Sequence, residues 1–171
     1  MKKQAVNSIL QKFHCTWESI PIWGLMRNDK IIHLSFDLKK HEKLCASLKV
    51  TPLTKVKHDS LCAFLLTLLQ GESITFPEDS TFIKKGSSFQ QRVWRILARI
   101  PFATTRTYGD IAKELGNPQL ARAVGQACNK NPLSLIIPCH RVVSAAGLGG
   151  FAGGGEIKKA LLDYEQRFLK S

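Results

Sequence analysis

The chain of 171 residues is long enough to bury one sizeable core, or two small ones packed together. Its 44% hydrophobic and 22% charged residues are those of a globular protein, and the longest apolar run, Leu61 to Leu69, is too short to span a bilayer. A net charge of +12 points to a polyanionic partner, most often nucleic acid.

At the N-terminus, lysines are followed by Gln4, Asn7 and Gln11 rather than by the apolar stretch of a signal peptide. The expected location is therefore cytoplasmic, with no membrane association. "IPIWGLMRNDKIIHLSFD" reads as two strands joined at Asn28-Asp29, a hairpin signal. "HDSLCAFLLTLLQG" then reads as a buried helix closed by Gly71, and "SITF" as a short strand. Together these predict a small α/β domain over residues 1–86.

The texture changes after residue 86. "SSFQQRVWRILARIP" predicts a helix capped by Ser88 with Gln91 as its capping-box partner, stopped by Pro101. "TYGDIAKELG" predicts a second, with Thr107 as cap and Gly116 as stop. A third begins at once, with Asn117 as cap and Pro118 at its first position, and runs through "QLARAVGQACNK". Two short helices joined by "GNP" have the layout of a helix-turn-helix, with Ile111, Ala112, Leu115, Leu120 and Val124 as their apolar contacts.

Between Arg92 and Arg141 stand eight Lys or Arg against only Asp110 and Glu114. That stripe, with small Ala121, Ala123, Gly125 and Ala127 allowing close approach to a groove, favours DNA binding over an ordinary helix pair. The last element, Glu156 to Lys170, places Ile157, Leu161, Tyr164 and Phe168 on one helical stripe with Glu165 beside it.

Five cysteines, Cys15, Cys45, Cys62, Cys128 and Cys139, form an odd set with no CxxC pair, so free thiols are expected and no metal is assigned. Cys139 stands apart. Pro138 restricts Ile137 to extended backbone, so "LSLIIP" predicts a strand-like segment that delivers Cys139 at its end. His140 and Arg141 follow, and cationic neighbours favour thiolate over thiol, the form that attacks. On extended backbone Cys139 and His140 point to opposite sides, so proton transfer between them needs a turn or a bridging water. The alternative is a buried cysteine beside a polar kink.

"RAVGQACNKNPLSLIIPCHRVV", with the pentapeptide Pro138 to Val142, resembles the signature of the methylated-DNA–protein-cysteine methyltransferases, or O6-alkylguanine-DNA alkyltransferases. The resemblance runs from about Phe89 to Glu165, through "FQQRVWRILARIPFATTRTYGDIA" and "FAGG...K..LL..E". It implies a mixed α/β (α+β) chain: a small N-terminal ribonuclease-H-like sheet domain, then a mainly helical, winged-helix-like domain over 87–171 with the helix-turn-helix and active site.

It further implies that Cys139 takes an alkyl group from O6 of guanine, or O4 of thymine, irreversibly and once per molecule, with the nucleotide flipped out of the duplex. His140 would draw the thiol proton through a water, and Glu165 would orient His140. Asn131 would hold the active-site turn, and Tyr108 would donate to N3 of the guanine. Arg122 would fill the gap in a duplex contacted through its minor groove by Ala121, Ala123 and Gly125. Val142, Phe151, Ala152 and Gly153 would form the substrate loop, with Phe151-Ala152 where many members have Tyr-Ser or Tyr-Ala.

No cofactor is implied, and the simplest expectation is a monomer. Some members carry an N-terminal zinc site; His14 and Cys15 are present here, but the full ligand set is not matched. Two other readings compete. One is a non-repairing, lesion-binding or regulatory helix-turn-helix protein. The other is a Cys-His hydrolase, which leaves Arg122, Tyr108 and the basic stripe without a role.

Overall fold

The computed structural model describes residues 10–72, 75–78 and 80–170. Its first half is built on an antiparallel meander of β1 (Leu10–Trp17), β2 (Ile20–Arg27) and β3 (Lys30–Ser35). β1 turns Phe13, Cys15 and Trp17 into the core at every second position, as pleated backbone requires. The β2–β3 connection is the expected Asn28-Asp29 turn: both residues have positive φ, 49° and 59°, which matches the twist of the flanking strands.

α1 (Leu38–Ala46) is capped by Asp37, whose carboxylate accepts from the Lys40 amide, and β4 (Val50–Pro52) returns parallel to β1. The sheet order is β3-β2-β1-β4. α2 (Lys55–Leu69) buries Leu61, Leu65, Leu68 and Leu69 and is closed at Gly71 as expected. Of the strand expected at 73–76, Ser73 and Ile74 lie outside the described residues, and Thr75 and Phe76 pair with no strand.

The five cysteines are not all free. Cys15 on β1 and Cys62 on α2 form a disulfide with their Cα atoms 5.7 Å apart, whereas Cys45, Cys128 and Cys139 remain thiols. A separation of 47 residues carries no sequence cue; packing the helix on the strand brings the two side chains into range.

After α3 (Thr81–Lys84) comes α4 (Ser88–Leu97), whose reciprocal capping box uses Ser87 and Gln90, one residue earlier than expected. Gln91 is engaged elsewhere, donating to the Gly86 carbonyl at 2.8 Å. β5 (Arg106–Thr107) leads into α5 (Tyr108–Glu114), capped by Thr107 with Asp110 as partner. After Gly116 and a 3-10 turn capped by Asn117, α6 (Ala121–Asn129) packs on α5 through Ile111, Ala112 and Val124, all fully buried. This is the expected helix-turn-helix.

"LSLIIP" is not strand-like. Leu133 and Ser134 touch the edge of β3 through Leu34, and the chain then turns, with Leu135 at φ 72° and the Ile137 amide donating to the Leu133 carbonyl. The Asn131 side chain accepts from the Leu133 amide and starts that turn, overriding the extended preference before Pro138. Cys139–Arg141 form one 3-10 turn, followed by β6 (Val142–Val143), which pairs in parallel with β5.

α7 (Gly155–Phe168) closes the fold. Leu161 is fully buried, and Tyr164 meets Trp17 edge-on at 4.9 Å, but Phe168 at the end of the stripe stays exposed. One core runs through both halves, from Phe13 and Trp17 to Trp94, Ile111 and Leu161, so the N-terminal sheet backs the elements that carry the thiol.

Candidate active site

Three chain reversals converge on Cys139. The turn at Asn131 brings its side-chain amide to 3.1 Å from the Cys139 sulfur and 2.7 Å from the Ile137 carbonyl. Pairing of Thr107 with Val143 sets Tyr108 beside the chain leaving the thiol. The loop before α7 then folds back, and Tyr108 donates its hydroxyl to the Gly150 carbonyl at 3.1 Å. Gly149 allows this approach: it has φ 69°, and a Cβ there would lie 2.8 Å from the tyrosine ring.

The result is a pocket of 280 Å³ whose wall includes Tyr108, Ala121, Arg122, Gly125, Cys139 and Phe151. Ala152 also lines it. Of the other predicted residues, Ala123 does not reach the wall, and Val142 is wholly buried in β6. Gly153 packs on Phe36 and Phe151, where a Cβ would stand 2.6 Å from the Phe36 Cβ. A larger cleft of 1010 Å³ beside the β2–β3 hairpin and α2 is lined by Met26, Leu61 and Phe64 and holds no cysteine or histidine.

Behind the pocket, His140 and Glu165 are buried at 2% exposure each, with His140 Nε2 2.8 Å from Glu165 Oε1. The same carboxylate accepts from Arg141 Nε and Nη2 at 2.9 to 3.1 Å and from the Ala103 amide at 3.0 Å. Burial alone would raise Glu165, but the donors and charges of His140 and Arg141 prevail and hold it at about 2. Burial lowers His140, so its imidazole is neutral; Nε2 faces the carboxylate and the buried Nδ1 has no partner among the described residues. That nitrogen is the available base.

The expected lowering of the thiol by its sequence neighbours is overturned. Burial pushes Cys139 up, against the Asn131 hydrogen bond and the charges of Lys158 and Lys40, which favour the thiolate. Arg141 does not act on the sulfur, because its guanidinium is committed to Glu165 and the Ile100 carbonyl. Cys139 therefore rests as a thiol and must be deprotonated as it reacts.

Lys158, the lysine of the "FAGG...K..LL..E" motif, and Lys40 carry no role in the sequence reading. Lys158 is wholly buried in α7, and its ammonium donates to the carbonyls of Val142 (2.6 Å), Leu148 (2.5 Å) and Gly150 (3.2 Å). A lysine one residue past Ile157 on the stripe side was the available signal. Lys40 reaches from α1 to the Asn129 carbonyl at 2.8 Å, a contact between halves that no local pattern encodes. Cys128, also unpredicted, lines the same pocket, and burial pushes its thiol far up.

Fold and site define a mixed α/β protein in which a helix-turn-helix walls a pocket floored by a buried thiol. Residues 88–167 match the model of the 6-O-methylguanine DNA methyltransferase DNA-binding domain. The chain is 51% identical over 88 residues to the methylated-DNA–protein-cysteine methyltransferase of Methanosarcina acetivorans, covering 51% of this chain and 56% of that one. For the Methanosarcina mazei relative the figures are 50% over 93 residues, 54% and 59%. These matches thus span little more than half of each curated relative.

Solved structures extend the likeness. Mycobacterium tuberculosis OGT in complex with DNA superposes with a TM-score of 0.72 at 30% identity, covering 92% of this chain and 94% of that one. The O6-methylguanine methyltransferase of the same organism gives 0.74 at 29% identity, covering 93% and 94%. The chain belongs to the methylated-DNA–protein-cysteine methyltransferase family.

Proposed function

We propose that this protein repairs alkylated DNA by direct reversal, moving the alkyl group from O6 of a flipped-out guanine to Cys139, once per molecule. The observation that carries this reading is the buried thiol on the floor of a pocket walled by the helix-turn-helix, backed by a neutral imidazole locked on a carboxylate. A base inside a duplex cannot reach a buried sulfur. The nucleotide must leave the stack, at a cost of a few kcal/mol. Arg122, exposed at the pocket edge, is suited to occupy the space it vacates, and the basic stripe to hold the phosphates.

In the reaction, the Cys139 proton passes through a water to Nδ1 of His140, and Glu165, bonded at Nε2, stabilises the imidazolium that results. Sulfur attacks the alkyl carbon in line, the carbon–O6 bond breaks, and a thioether forms. Burial, with the nearby Cys128 and Cys139, pushes Tyr108 up to about 12, so its phenol keeps the proton that it offers to N3 of the departing base. Asn131 fixes the sulfur, and Ala121, Gly125, Phe151 and Ala152 shape the pocket. Residues 87–171 carry this chemistry in the proposal and 1–86 support it. The thiol must stay reduced, which suits a cytoplasmic setting.

The test is intact mass after incubation with a duplex containing one O6-methylguanine. A gain of one methyl, mapped to the Cys139 peptide and lost in Cys139→Ala, is the expected result. Bound lesion DNA without mass gain would leave the lesion-binding reading in its place.

A further inference from the structure

Four rings run side by side through the N-terminal half. His14 on β1 stacks on Trp23 of β2 with ring centroids 5.0 Å apart, Trp23 meets His41 of α1 at 5.9 Å, and His41 stacks on His33 of β3 at 5.7 Å. The register brings them together, since His14 and Trp23 are cross-strand partners on the sheet face that α1 covers. Along this stack opens a cavity of 390 Å³, with α1 on one side and Pro52, Leu53 and His58 on the other. It shares no residue with the alkyl pocket, and the match to the family's DNA-binding domain, which begins at residue 88, reaches none of it.

Two polar atoms of the wall are buried without a hydrogen-bond partner among the described residues: Nε1 of Trp23 and Nδ1 of His41. His41 is 4% exposed, and its Nε2 lies 3.2 Å from the Cys45 sulfur, which fixes the ring. Burial and the charge of Lys12 hold His41 below its ordinary 6.5, so the imidazole is neutral. A buried indole N–H with nothing to receive it is costly, and the cost falls when an occupant supplies an acceptor. At the rim stand two exposed charges: Lys12, two residues from His14 on the same strand face, and Glu42, next to His41 on α1. Among the described residues neither side chain makes an ion pair or a hydrogen bond.

We propose that this cavity binds a purine ribonucleoside monophosphate. The base lies on the exposed His14 ring and continues the stack, while its edge accepts from the Trp23 indole and pairs with His41 Nδ1. Glu42 accepts from the ribose hydroxyls, and Lys12 meets the phosphate. A simple aromatic acid would set its carboxylate between Lys12 and Glu42 and leave Glu42 unmatched; a nucleotide carries hydroxyls between ring and anion. The volume lies in the ordinary range for small-ligand sites, about 300–1,000 Å³. Unstacked bases of DNA share the ring and the phosphate but lack the 2′-hydroxyl, so Glu42 selects the free ribonucleotide over DNA.

The full chain is titrated with AMP, dAMP, adenosine and inorganic phosphate, read by the indole N–H signals in proton–nitrogen correlation spectra, with Trp23→Phe to assign its own. Adenine carries no O6, which keeps the guanine-directed pocket at Cys139 apart from the measurement. The expected result is one AMP per chain, with the Trp23 indole signal shifted and dAMP at least about fivefold weaker. Lys12→Gln weakens AMP at least about tenfold and leaves adenosine unchanged, and Glu42→Ala brings AMP and dAMP together. His14→Ala, at an exposed site, weakens AMP and adenosine alike by at least about fivefold. No shift of the Trp23 signal at millimolar AMP, or AMP binding unchanged in both His14→Ala and Lys12→Gln, would overturn the proposal. So would equal affinity for dAMP, or phosphate alone reproducing the AMP shifts. No arm uses DNA or reads methyl transfer, so failure here leaves the alkyl-acceptor reading as it stands.

Discussion

Glu165 Oε1 lies 2.8 Å from His140 Nε2 in the core, and this one contact decides which imidazole nitrogen is left to act as base. With Nε2 tied to the carboxylate, Nδ1 is the free acceptor. Glu165→Gln keeps the shape but offers an amide that cannot stabilise an imidazolium. Methyl transfer in single-turnover quench experiments is expected to slow by about 100-fold or more, with lesion DNA affinity within a few-fold of the parent.

The same carboxylate sets the acid limit of the fold. Glu165 is held at about 2, below its ordinary 4.5, so its contribution is complete above pH 4.5 and is lost as pH falls toward 2. Buried His140, held below its ordinary 6.5, acts in the same direction, because the unfolded chain takes up that proton first as pH falls. Denaturant unfolding should show stability falling between about pH 6 and pH 2, with Glu165 contributing on the order of 3 kcal/mol. A flat profile in that window for the parent protein would contradict the assignment.

Lys158 ties the Leu148 and Gly150 carbonyls of the loop before α7 to the Val142 carbonyl of β6. Lys158→Met fills the same space and removes every donor. Relief from burying an ammonium offsets part of the loss, so the net change in stability should stay within about 1–3 kcal/mol. The loop responds more. Amide exchange at residues 147–150 should accelerate at least about tenfold, and methyl transfer should slow with it.

Arg122 lines the pocket edge from an exposed position on α6, and no hydrogen bond made by its guanidinium is found among the described residues. Arg122→Ala is expected to slow transfer from duplex DNA by at least about tenfold while leaving reaction with a free alkylated guanine base unchanged, since only the duplex requires base extrusion. Equal losses on both substrates would place Arg122 in the chemistry instead.

Much was legible before any coordinates because it is written in local rules. The Asn28-Asp29 turn, the Thr107 and Asn117 caps and the Gly116 stop follow from backbone preferences that neighbours do not alter. The motif around Pro138 to Val142 marked the thiol. β1, α1 and β4 lack such punctuation, and the turn at Leu135 was missed because an Asn131 side chain, not the local backbone preference, initiates it.

What the sequence by itself determined was the run of helices in the second half, the excess positive charge and the identity of the thiol, imidazole and carboxylate. Only the tertiary structure decided their states. Burial raises Cys139 against its cationic neighbours, Arg141 is drawn away to Glu165, and Lys158 and Lys40 arrive from distant elements. The pairing of Cys15 with Cys62 belongs to the same class. The reason is that desolvation and charge pairing depend on what surrounds a group in three dimensions, and chain separation says almost nothing about that.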